Sequence, residues 1–322
     1  MLKRLIAGAA LASLALAAGA QDWPTRTITM VVPYAAGGPT DTVARVLAQA
    51  MTKPLGQTVV VENKPSAGGI LGPEAVKNAK PDGYTILIHH IGMATTPALY
   101  RSLRYNPLTD FEYIGLVNEV PMTIIGKPGL PAKDLKELLA YIKANKDKVT
   151  YANAGIGAAS HLCGMLFMSA INTDVLTVPY KGTGPAMNDL LGGQVDFMCD
   201  QTTSTTGQIK GGKVKVFGVT SKQRVASLPD VPTLDEQGLK GAEVGIWHGL
   251  YAPKGTPKPV LDKLVAAMQA ALKDPDVLKK YTDLGAVTFP PDKQTPQALQ
   301  AHLKAEIDKW GPMIKKAGQF AD

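Results

Sequence analysis

The chain has 322 residues, a formal net charge of +7, 45% hydrophobic and 19% charged residues, and two cysteines. That mix excludes a disordered chain, a disulfide scaffold and a four-cysteine zinc site, and the length favours two domains. Glycine (32) and proline (24) are plentiful but follow no repeat, so many tight turns are expected.

The first twenty residues read as a cleavable export signal. Lys3 and Arg4 precede an apolar run over 5–18, and Ala18-Gly19-Ala20 offers the small residues a signal peptidase requires. The run is shorter than the ~20 residues of a spanning helix. Gln21, not cysteine, follows the expected cut, so no membrane or lipid anchor is expected. Residues 1–20 are therefore assigned as signal peptide, and the remainder is expected to be an exported soluble protein.

Strands and helices then alternate. A β-branched strand over 27–33 (TITMVVP) leads into the glycine turn 35–38, and Thr40 or Asp41 caps a helix reaching about residue 55. A strand over 58–61, a helix over 68–80 and a buried strand over 84–89 (YTILIH) follow. Further strands are expected over 111–117 and from 123, and an amphipathic helix over 135–144. The lysines between 127 and 148 alternate with Asp134, Glu137 and Asp147, which reads as the wet face of a helix and not a nucleic-acid surface. The second half continues with a strand over 149–153, a turn at 155–157, a helix over 160–170, a strand over 175–179 and a helix over 183–191. Strands over 195–199 and 214–220, an extended segment over 243–251, and helices over 257–272 and 296–316 complete the chain. Such alternation predicts two parallel sheets, each covered on both faces by helices.

Catalytic signatures G-x-S-x-G, H-E-x-x-H and C-x-x-C are absent from the sequence. The run from Gly155 to Ser160 imitates a dinucleotide turn but lacks the acidic residue about twenty positions on. The G-x-x-x-x-G-K at 207–213 is followed by Val214 where a magnesium-binding hydroxyl would stand. Four glycine-rich turns remain, at 34–41, 66–69, 155–161 and 181–185. Each opens a helix, where free backbone N–H groups and the helix dipole favour an anion. Four such turns at the carboxyl ends of strands predict a carboxylate-binding cleft without cofactor or metal. The adjacent His89 and His90 point to opposite sides of a strand and so form no metal pair. His248 either lines the site or packs, and His302 reads as surface. Cys163 and Cys199 are permitted a bridge by an oxidising compartment, but spacing alone does not decide it.

The segments 31–41 (VVPYAAGGPTD), 59–69 (VVVENKPSAGG), 81–85 (PDGYT), 178–182 (VPYKG), 192–196 (GGQVD) and 252–257 (APKGTP) resemble, in order, the Bug receptors. These are the extracytoplasmic solute-binding proteins of tripartite tricarboxylate transporters. The resemblance implies a type II periplasmic binding protein with two doubly wound α/β lobes, the first formed by 21–121 plus 246–322 and the second by 122–245. It also implies a monomeric, non-enzymatic receptor that hinges near 117–125 and 243–250, closes on a carboxylated solute and delivers it to integral-membrane transporter subunits. Its ligand-binding residues would be Tyr34, Ala36, Gly37, Gly38, Thr40 and Asp41 in the first turn, with Gly157, Ser160, His161, Lys181, Thr183 and Asp200 on the opposite wall. His89, His90 and Ser66 depart from the family pattern and are expected to reshape the pocket. The several donors among His89, His90, His161 and Lys181 lead us to expect an aromatic dicarboxylate of the terephthalate type. The other classes considered are an exported α/β enzyme acting on an organic acid and a sensor module for a membrane kinase.

Overall fold

The structure, a computed structural model, describes residues 23–318; the expected signal peptide over 1–20 lies outside these residues. In chain order the elements are β1 (Ile28–Val32), α1 (Pro39–Leu55), β2 (Val59–Asn63), α2 (Leu71–Lys77), β3 (Thr85–His90), α3 (Gly92–Leu99), β4 (Phe111–Gly126), α4 (Leu135–Ala144) and β5 (Thr150–Asn153). They continue as α5 (Ala159–Ile171), β6 (Leu176–Pro179), α6 (Thr183–Leu191), β7 (Phe197–Gln201), α7 (Thr202–Lys210), β8 (Lys215–Val219) and β9 (Gly245–Pro253). The last elements are α8 (Lys258–Lys273), α9 (Pro275–Asp283), β10 (Val287–Thr288) and α10 (Pro296–Ala317).

Two α/β lobes share the long strand β4. In one, β2, β1 and β3 run parallel and β9 lies antiparallel between β3 and the first part of β4. In the other, β7, β5 and β6 run parallel, and the end of β4 from Met122 pairs antiparallel with both β7 and β8. The expectation of purely parallel sheets is thus corrected. Strands β4 and β9 run antiparallel to neighbours that are distant in the sequence, a pattern that helix–strand alternation does not reveal. The break expected between 117 and 123 is likewise absent. Gly115, Asn118 and Pro121 interrupt the apolar pattern, but the strand absorbs them through register shifts at Tyr113/Gly115 and Leu116/Asn118 and continues to Gly126.

Burial explains the helices that the sequence pattern did not announce. Helix α7 (TTSTTGQIK) is rich in β-branched Thr, a weak helix former, yet Thr202, Thr203, Thr205 and Thr206 are all buried. Helix α1 shows the ordinary logic: Pro39 starts it, Val43, Leu47 and Met51 face the core, and Gly56 ends it in a left-handed conformation. Cys163 on α5 and Cys199 on β7 form a disulfide with Cα atoms 6.1 Å apart, inside the second lobe. His302 is not a surface residue: its ring packs edge-on to Trp247 at 4.8 Å and near Phe289 at 6.1 Å.

Where the chain passes between the lobes, Thr220 ties the two passing segments together. Its buried hydroxyl accepts from Met122 N–H (3.0 Å) and donates to Val244 C=O (2.6 Å), while its backbone bonds the same two residues. Thr220→Val strands both of those groups in the interior and should destabilise the fold by about 1–3 kcal/mol in urea denaturation. A change below about 0.5 kcal/mol would show that water replaces the hydroxyl there.

Candidate ligand-binding site

Strands β1, β5, β6 and β7 each end at the face between the lobes, and α1, α5, α6 and α7 start there. The four helix starts converge on one enclosed cavity. It is lined by Gly38, Pro39 and Thr40 from α1, Ala158 to Ser160 from α5, Thr183 from α6, and Asp200 and Gln201 ahead of α7, with Tyr34, His90 and Ala154. The lobes leave only about 10 Å³ open to the centre of a water molecule, room for about one water. The first N–H satisfied by a carbonyl of its own helix is Thr42 in α1 and Leu162 in α5, so the amides of Thr40, Ala159 and Ser160 are offered to the cavity. Among the described residues no Lys or Arg lines it. Its affinity for anions therefore comes from backbone N–H groups and helix dipoles.

The first turn is held by Asp41. Its carboxylate accepts from Gly37 N–H (2.9 Å), Arg45 Nε (2.8 Å) and Asn63 Nδ2 (2.9 Å). Burial alone would raise its pKa, but the Arg45, Gly37 and Asn63 hydrogen bonds prevail and hold it below the ordinary carboxylate value. Gly37 thus spends its N–H within the turn. A Cβ there would meet no neighbour within 4 Å, so the turn needs this glycine for its φ of +79° and not for close approach of a ligand.

The wall opposite the helix starts is aromatic. His90 stacks on Tyr34 at 4.7 Å, and His89 meets Tyr34 edge-on at 5.7 Å. His248, opposite His90 across β3 and β9, approaches Thr40 Oγ1 at 3.3 Å. Burial drives the pKa values of His89 and His248 down to about 3, and burial, His89 and His248 lower that of His90. All three rings are neutral at physiological pH. His90 Nδ1 accepts Gly92 N–H (2.9 Å), so its hydrogen sits on Nε2.

Of the residues singled out in the sequence, Tyr34, Gly38, Thr40, His90, Ser160, Thr183 and Asp200 are brought together around the cavity. The others are placed elsewhere. Ala36 and Gly37 are on the exposed side of the turn, and Asp41 braces it from behind. Ser66 Oγ accepts Leu71 N–H (3.1 Å), His89 is buried behind Tyr34, and Lys181 is exposed. His161 Nδ1 accepts Gly157 N–H (3.4 Å). Ser160 lines the cavity; its hydroxyl oxygen accepts Ala154 N–H (2.8 Å), which leaves its O–H, like its backbone amide, to donate to an anion. Gln201 was not foreseen. Its signal was its place at the carboxyl end of β7, legible only once α7 is known to follow.

The lobes touch around this cavity. Tyr100 Oη donates to Ile156 C=O at 2.9 Å, and Thr95 Oγ1 reaches Gly157 C=O at 3.4 Å. A larger hollow of about 680 Å³ lies behind the passing strands. Its Lys222 is paired with Glu243 (3.7 Å) and its Arg224 with Glu236 (3.0 Å), and Glu119 adds negative charge, so it does not suit an anion.

Comparison with known proteins agrees with this geometry. Residues 43–319 match the model of the tripartite tricarboxylate transporter family receptor. The chain superposes on the periplasmic binding protein BugD with a TM-score of 0.90 at 57% identity, covering 92% of this chain and 99% of that one. It superposes on MatC of Rhodopseudomonas palustris, solved with bound malate, with a TM-score of 0.87 at 41% identity, covering 91% and 100%. A third structure, R. palustris Rpa4515 with adipate, gives a TM-score of 0.87 at 31% identity over 92% and 99%.

Proposed function

The chain belongs to the tripartite tricarboxylate transporter receptor family, a class of periplasmic solute-binding proteins, and we propose that it captures a short aliphatic dicarboxylate by lobe closure. On this reading one lobe takes 21–121 with 246–322 and the other 122–245, and the hinge lies where β4 and β9 pass between them. The closed form is what an integral-membrane transporter would recognise. The carrying observation is the convergence of four helix starts on a cavity without a cationic side chain. Such a site holds carboxylates by preorganised amides and needs no metal or cofactor.

An aromatic diacid loses most of its support. Of His89, His90, His161 and Lys181, the donors expected to grip its far end, only His90 lines the cavity. The related structures hold malate and adipate, both aliphatic diacids. The test is thermal denaturation with malate, succinate, adipate, citrate, terephthalate and benzoate. A bound diacid at about a hundredfold excess over its Kd stabilises by about 2.7 kcal/mol, several degrees in Tm. A rise with terephthalate alone would restore the aromatic ligand, and a rise with benzoate alone would reduce the site to a single carboxylate. Small-angle scattering that gives the same radius with and without the stabilising acid would argue against closure.

A further inference from the structure

Asp200 is the one carboxyl among the cavity-lining side chains, and it is 1% exposed. Its Oδ1 accepts the Thr183 hydroxyl at 3.2 Å, whereas its Oδ2 is buried with no partner. The groups around it supply no positive charge. Tyr151 stands beside it on β5, and His161 opens α5 on the same side of the cleft. Across the cleft stand Tyr34 and His90, with His89 and His248 behind them, all three rings neutral. Burial raises the pKa of Asp200 to about 7, and hydrogen bonds from Gln201, Thr183 and Ser204 oppose it only in part. A ligand carboxylate entering this closed space adds a second like charge, and two adjacent carboxylates do not both stay ionised.

We propose that Asp200 closes on the ligand as a neutral carboxylic acid and donates a hydrogen bond from Oδ2 to a ligand carboxylate. Wherever Asp200 is ionised in the free protein, capture then takes up a proton from solvent at Asp200, and release returns it. This rests on the dicarboxylate reading above and adds a determinant of selectivity. A neutral Asp200 complements a carboxylate and gives no counter-charge to an ammonium, so a diacid is preferred over its amino analogue. Binding should also tighten as the surroundings acidify, a coupling the neutral histidines do not supply.

Titration calorimetry of the full-length mature protein with L-malate, succinate and L-aspartate from pH 6 to 8.5 tests this. In the wild type, diacid affinity should fall by about tenfold per pH unit above pH 7. Two buffers of different ionisation enthalpy should report an uptake approaching one proton per ligand at pH 8. Asp200→Asn keeps a hydrogen-bond donor without the titration, so it should bind within about threefold of wild type at pH 6 and lose the pH dependence. Asp200→Ser, too short to reach, should bind weakly at every pH, with melting curves showing that both variants are folded. A flat wild-type profile overturns the proposal, as does tight L-aspartate binding that Asp200→Asn abolishes. If neither malate nor succinate binds the wild type, the dicarboxylate reading itself fails, and this proposal with it.

Discussion

Gly68→Ala should weaken diacid binding by at least about tenfold while leaving both lobes folded. Gly68 sits where the lobes meet, at a φ of +65°, and a Cβ there would lie 2.2 Å from Ile156 O and 2.3 Å from Tyr100 Oη. Ile156 belongs to the turn before α5, and Tyr100 donates to that same carbonyl. The obstacle is backbone on one side and, on the other, a ring whose single O–H is set between the Ile156 and Ala67 carbonyls, so neither yields cheaply. Its effect should therefore fall on closure. The left-handed φ adds about 1–2 kcal/mol of strain in either state. Gly37→Ala is the informative control, because it carries the same kind of strain but would meet nothing within 4 Å. Calorimetry with L-malate should show a large loss for Gly68→Ala and a small one for Gly37→Ala. Equal losses would mean that backbone strain, and not contact between the lobes, sets the affinity.

Acidification should destabilise the protein steeply between pH 6.5 and 5. His89, His90 and His248 are fully buried and held below the ordinary value of 6.5, chiefly by burial. The folded molecule keeps them neutral, whereas the unfolded chain protonates them once the pH falls through that value. Their stabilisation is complete above about pH 6.5 and is lost below it, at about 1.4 kcal/mol per pH unit for each ring. Asp200 runs the other way. Its pKa is raised from 3.8 to about 7, so over this range the folded state holds a proton that the unfolded chain has released. That offsets about 1.4 kcal/mol per unit, leaving a net loss of about 3 kcal/mol per unit. Urea denaturation at pH 7.5, 6 and 5 should record it, and Asp200→Asn should steepen the slope by removing the offset. Stability unchanged from pH 7.5 to 5 would mean that the histidine cluster opens to water.

These two effects arise from features that were unequally legible beforehand. Each glycine turn at a strand end was readable, because turn chemistry and helix starts depend on residues within a few positions of one another. Thr183 as a helix start and Pro296 near another were placed from local pattern alone. The family blocks also carried the two-lobed class, since their order spans the chain. The antiparallel course of β4 and β9 was not legible, because pairing direction depends on partners distant in the sequence. Helix α7 escaped notice because Thr-rich sequence has poor intrinsic propensity and becomes helical here through burial. The starts of α1, α5 and α6 could be listed from the sequence and that of α7 could not, but which side chains share one cavity is decided when the lobes meet. Tertiary packing turned Ser66 onto the start of the helix that follows it, left Lys181 in solvent, buried three histidines as neutral rings and left one oxygen of Asp200 buried without a partner. Local backbone chemistry determined where an anion can bind; long-range packing, which sets dielectric and distance, decided which side chains meet it and in what protonation state.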